Sequence, residues 1–182
     1  GKNKEFQQEN FKQVSEIVDM VLFLESHTMN HPDLHLLNIL GSKMSDIGDM
    51  MINSKTFPER GWSTPVTMPR VARRGTLTDI EQRTYNRFSL GSLIISTLYG
   101  HYPTSDKIPS CLNLKTENKL IQKGFKKDTL KEVPNTFNNQ PTTPYVKSML
   151  SLAKLLLADD RSLVVPEKLN LKKELEKIQA QL

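Results

Sequence analysis

Residues 85–100, YNRFSLGSLIISTLYG, form the most apolar stretch of the chain and limit its fold more than any other. Leu90, Leu93, Ile94, Ile95 and Leu98 cover most of the circumference of a helix, and a helix that is apolar nearly all round is buried on every side. The spacing therefore predicts a central helix over 86–99 with the rest of the chain wrapped about it. Gly91 lies inside that helix although glycine there costs about 1 kcal/mol against alanine, which implies close packing. Gly100 suits the position just past the helix end.

The remaining apolar pattern supplies the wrapping. Phe11, Val14, Ile17, Val18, Val21 and Leu24 recur at helical spacing, which predicts a helix over 10–27 with Asn10 as N-cap. Met20, Leu22 and Phe23 widen its stripe, so this helix too is expected to be buried on more than one side. Residues 1–9 are polar and are expected to fray. Residues 145–182 return to helical period through Val146, Met149, Leu150, Leu152, Leu155 and Leu156. The tail then places Leu171, Leu175, Ile178 and Leu182 at i, i+4, i+7 and i+11. That spacing suits a last helix packed on the core, a short coiled-coil seam, or both. Between these blocks, 104–143 is rich in Lys, Asn, Thr and Pro and reads as loop, with 117–125 as its one candidate helix.

A chain of 182 residues fits a single domain, 1–182. The net charge is +5 and the pI near 9.3, but no run of five or six like charges concentrates the bias. Aromatic residues make up only 7% of the chain. Specific nucleic-acid binding is therefore not expected, and an acidic protein partner fits the charge as well. Cys111 is the only cysteine. The fold thus needs no disulfide and no oxidising compartment, and a reducing, intracellular setting suits it. Zinc sites built on paired cysteines are excluded, and no apolar run is long enough to span a membrane.

Polar chemistry concentrates at 31–48, HPDLHLLNILGSKMSDIG. Residues 38–40 and 43–45 can pair as a hairpin about Gly41 and Ser42, with glycine first in a type II′ turn. The hairpin would bring Asn38 and Asp46 together at its open end with Asp33 one loop away. That oxygen-rich set suits a hard divalent cation and a base acting on a hydroxyl.

HPDLHLLN resembles the protein-kinase catalytic loop H-R-D-L-x-x-x-N, and SDIG resembles the D-F-G segment that follows it. The stretch 64–70, TPVTMPR, looks like the end of the kinase activation segment, which would occupy 49–70. In the central helix, Ser89, Gly91, Gly100 and Pro103 match D-x-W-S-x-G and G-x-x-P, with Asn86 for Asp and Phe88 for Trp. The segment from Asp159 through Arg161 looks like D-P-x-x-R. The resemblance implies a mainly α fold: a kinase C-lobe-like helical domain with a small β-hairpin. It gives Asp33 the place of the catalytic base and Asn38 and Asp46 those of the metal ligands. The bland alternative is that all three persist as hydrogen-bonders that hold the loop. His31, Asn86, Arg70 and Arg161 take structural places.

Departures from the family are as informative as the matches. Pro32 replaces the Arg that grips a phosphorylated activation loop, so control by that route is not expected. His35 stands where many Ser/Thr kinases carry a Lys. Arg70 replaces the Glu that pairs with the Arg matched by Arg161, and Asp159 and Asp160 could absorb it. Asn86 keeps an acceptor oxygen but loses the charge of Asp, which weakens its brace on the loop. Arg73, Arg74, Gly75 and Thr76 resemble a basophilic-kinase substrate site, but such sites are common by chance and a solvated basic turn is the favoured reading. The sequence holds neither a G-x-G-x-x-G nor a P-loop, and too few residues precede His31 for a kinase N-lobe. The expectation is a non-catalytic, pseudokinase-type scaffold, as in C-lobe modules of the KIND type. It would bind a helical or acidic segment of another protein and need no cofactor. The alternative is the C-lobe of a divergent Ser/Thr kinase that uses Mg-ATP when an N-lobe is supplied elsewhere.

Overall fold

The chain folds as a mainly helical body with two small antiparallel ribbons, described here from a computed structural model. The residues described are 1–57, 69, 71, 75–99, 143–157 and 162–182. In order come α1 (Lys2–Ser26), β1 (Met29–Asn30), a 3-10 turn (Leu36–Asn38), β2 (Ile39–Leu40), β3 (Lys43–Met44) and β4 (Met51–Ile52). The helices α2 (Asp79–Tyr99), α3 (Pro144–Leu157), α4 (Val164–Glu167) and α5 (Leu171–Gln179) complete it. Among the described residues no helix is long and apolar enough to cross a membrane.

Helix α2 is the centre. It touches α1, α3 and α4, and Tyr85, Phe88, Leu90, Leu93, Ile94, Ile95 and Leu98 are all buried. It begins at Asp79, seven residues before the expected 86. Thr78 and Glu81 form a reciprocal cap: the Thr78 N–H donates to Glu81 Oε2 at 2.8 Å, and the Glu81 N–H donates to Thr78 Oγ1 at 3.4 Å. Such a pair satisfies two backbone donors that a helix start leaves open. Gly100 and Pro103 lie outside the described residues.

Gly91 is where α3 comes closest. A Cβ there would meet Leu157 Cγ at 2.8 Å, Leu156 Cβ at 3.0 Å and the Ala153 carbonyl at 3.1 Å. Gly91→Ala is therefore expected to lower stability. An overpacking cost of about 1–3 kcal/mol exceeds the roughly 1 kcal/mol of helix propensity gained. A lower urea midpoint checks this, whereas a raised midpoint would show that α3 can retreat.

Helix α1 differs from expectation at both ends. It starts at Lys2, with the Lys4 and Glu5 N–H groups donating to the Gly1 carbonyl. Lys, Glu and Gln are good helix formers, so the polar first turns extend the helix and do not fray. Gln7 ties them down by donating to Thr143 Oγ1 at 3.0 Å. Asn10 is consequently no cap: it is buried, and its Oδ1 accepts from the Tyr145 hydroxyl at 2.7 Å. Val14, Ile17, Val18, Val21 and Leu24 are buried as the spacing predicts. Phe23, however, is 56% exposed and lies against His27 with ring centroids 4.2 Å apart. Met20 and Leu22 are partly buried against the core, so the end of α1 is sheltered on more than one side, with Phe23 alone left out.

Helix α3 opens with Pro144 in its first turn, where no N–H is needed, and the Thr143 hydroxyl accepts from the Val146 N–H. In α5, Leu171, Leu175 and Ile178 are buried against the body, so this helix packs on the core. Asn170 caps it by accepting from the Lys173 N–H. Arg87, near the middle of α2, joins three elements. Its Nε and Nη2 donate to the two carboxylate oxygens of Glu25 at 2.5 and 3.0 Å. Its Nη1 donates to the carbonyls of Pro166 and Leu169 at 2.7 and 2.6 Å.

Candidate functional site

The polar cluster is built on two ribbons and one helix. Strands β2 and β3 pair Ile39 with Met44 and Leu40 with Lys43. Gly41 has φ +64° while Ser42 does not enter the left-handed region, the pattern that a type II′ turn requires. The second ribbon pairs β1 with β4, Met29 opposite Ile52 and Asn30 opposite Met51. It has no counterpart in the sequence reading, because two-residue strands carry too little alternation to detect.

His31 is the hub. It is 1% exposed, and its backbone N–H donates to Asn86 Oδ1 at 2.9 Å. Its Nδ1 accepts from the Asp33 N–H at 3.1 Å, and Nε2 reaches the Ser45 carbonyl at 3.1 Å. One ring nitrogen thus accepts while the other must donate, which fixes the neutral tautomer protonated at Nε2. Asn86 is used at both ends of its amide. Besides accepting from His31, its Nδ2 donates to the Met29 carbonyl at 2.9 Å and to Asn30 Oδ1 at 3.3 Å. Asn30, which the sequence reading passed over, is buried and donates in turn to the Gln82 carbonyl at 2.7 Å. The amide of Asn86 is therefore matched to its neighbours, with one bond accepted and two donated.

Asn38 is similarly committed. Its Nδ2 donates to the Asp33 carbonyl at 2.9 Å and lies 3.2 Å from His35 Nε2. Its Oδ1 accepts the Ser45 hydroxyl at 3.4 Å, and its backbone carbonyl accepts the Ser45 N–H at 2.8 Å. The side chain that faces Asn38 across the ribbon is thus Ser45, not Asp46. Asp46 follows next, exposed and left-handed at φ +54°. The Asp33 carboxylate lies 3.3 Å from His35 Nε2, with both side chains largely shielded. That nitrogen can accept from Asn38 or donate to Asp33, but one tautomer cannot do both.

Behind the loop, Tyr85 is fully buried in α2, edge-on to Phe57 with centroids 5.4 Å apart. Burial, and secondarily the Asp33 charge, push its phenol well above the ordinary tyrosine range. Its hydroxyl has no hydrogen-bond partner among the described residues.

The structure therefore brings His31, Asp33, His35, Asn38 and Asn86 together and leaves Asp46 at the exposed edge. Among the described residues no group of three or more His, Cys, Asp or Glu is placed to hold a metal ion. Arg70 and Arg161 lie outside the described residues, as do Asp159, Asp160 and nearly all of the 104–143 segment. Asn30 and Ser45 had no sequence signal beyond their neighbours. The cap at Thr78 did: T-x-x-E ahead of an apolar run marks a helix start. No protein-family description matches this chain, and no curated protein matches it.

Proposed function

We propose that this chain is a protein-interaction or scaffold module of pseudokinase type, a kinase C-lobe-like helical domain whose loop at 31–48 has a structural role. The family reading rests on the motifs quoted above. The observation that supports the non-catalytic role is the engagement of Asn38 within the loop. Its amide is tied to Asp33, His35 and Ser45. Nδ2 holds the loop backbone, and Oδ1 already accepts the Ser45 hydroxyl on one of its two lone pairs. Leu40 and Ile52 on the ribbons and Ile47 between them, 67%, 62% and 62% exposed, offer apolar surface for a partner segment.

Titration of the purified chain with Mg-ATP in a calorimeter tests this reading. No heat of binding is expected up to millimolar nucleotide. A dissociation constant in the micromolar range, lost in Asn38→Ala and Asp46→Ala, would favour the alternative. In that alternative Asp33 is a base, Asn38 and Asp46 hold the metal, and an N-lobe comes from elsewhere.

A further inference from the structure

Thr76 sits on a short ribbon ahead of α2 that the polar cluster does not use. It pairs with Thr56 in a single antiparallel bridge. The bonds that frame the bridge run from the Phe57 N–H to the Gly75 carbonyl, 3.0 Å, and from the Leu77 N–H to the Lys55 carbonyl, 2.7 Å. This framing makes Thr56 and Thr76 a pair without hydrogen bonds between them, whose side chains leave the ribbon on the same face. Alternation then sends Leu77 inward, where it is 3% exposed, and Thr76 outward, where it is exposed. Gly75, at φ +77°, turns the chain into the bridge. In the sequence, Arg73 and Arg74 precede Thr76 by three and two residues, and apolar Leu77 follows it.

We propose that Thr76 is a phosphorylation site for an arginine-directed Ser/Thr kinase. Two guanidinium groups upstream of an exposed hydroxyl match an acidic substrate groove, since each can form a paired, charge-assisted contact with a carboxylate. In the transfer, Thr76 Oγ attacks the γ-phosphorus of ATP. The new O–P bond forms as the bond to the β-phosphate oxygen breaks, ADP leaves, and the hydroxyl proton passes to the kinase's base.

The product adds a charge of about −1.5 to −2 and three acceptor oxygens. Lys55, next to Thr56, leaves the ribbon on the opposite face and is paired with Asp79 at the start of α2, so the phosphate projects from the Thr56 face. The inference does not depend on the function proposed above, because it concerns residues outside the polar cluster and a second enzyme.

The full chain, folded, is incubated with the catalytic subunit of cyclic-AMP-dependent protein kinase and labelled ATP, and the product is mapped by mass spectrometry. One phosphate is expected at Thr76, absent in Thr76→Val and retained in Thr76→Ser. Arg74→Gln is expected to slow incorporation about tenfold or more, the loss of one charge-assisted contact. Incorporation at Thr78 or elsewhere, incorporation only into urea-unfolded chain, or a rate unaffected by Arg74→Gln would overturn the site.

Discussion

Arg87→Ala is expected to lower the free energy of unfolding by about 3–5 kcal/mol, the cost of breaking a shielded ion pair from one side. The guanidinium is 10% exposed and the Glu25 carboxylate 15%, so neither is well screened by solvent. Removing the cation strands the carboxylate, and it also strands the Pro166 and Leu169 carbonyls that Nη1 serves. Arg87→Lys keeps the charge but has no planar fork to reach two carboxylate oxygens and two carbonyls at once. It should fall between wild type and Arg87→Ala. Double substitution of Arg87 and Glu25 by apolar residues should recover part of the loss, since no unpaired charge then remains. Urea midpoints for the four proteins give the answer. Equal midpoints for Arg87→Ala and wild type would show that Glu25 finds water.

Asn86→Leu should cost about 3 kcal/mol, because it leaves the His31 N–H, the Met29 carbonyl and Asn30 Oδ1 without partners in a dry site. The more informative change is Asn86→Asp, which introduces the residue of the motif that this helix resembles. It keeps the acceptor for His31 but turns a carboxylate oxygen toward two oxygens that now receive hydrogen bonds. It is expected to destabilise by about 2 kcal/mol. If Asn86→Asp instead raised the urea midpoint, the surroundings of Asn86 would be those of a carboxylate and the match with Asn30 incidental.

The sequence made some features easy to read and hid others for definite reasons. The apolar circumference of 90–98 identifies α2, and the Gly91 interruption points to the close approach of α3. Gly41 and Ser42 mark the turn between β2 and β3. Apolar residues alone place the start of α2 at 86, while the Thr78 cap is a polar signal eight residues upstream. The first turns of α1 were discounted as polar, although polar residues with high propensity form helix on an exposed face. Arg87 with Glu25, and Asn86 with Asn30, join residues more than fifty apart in the chain, and nothing local records such partnerships. At the polar cluster, residue types were legible but commitments were not. Asn38 reads equally as a ligand or a strut until its neighbours are known.

The two ribbons of the polar cluster each contain strands only two residues long, so backbone ladders contribute little to holding residues 29–52. What secures that region is a handful of side chains: the polar His31, Asn38 and Asn86, and Leu34, Ile39 and Met51 seated in the core. A segment fastened at few points opens as a unit when its fastenings yield. Lifting this one away would draw Leu34, Ile39 and Met51 out of the hydrophobic cluster, so the polar loop and the helical body beneath it loosen together.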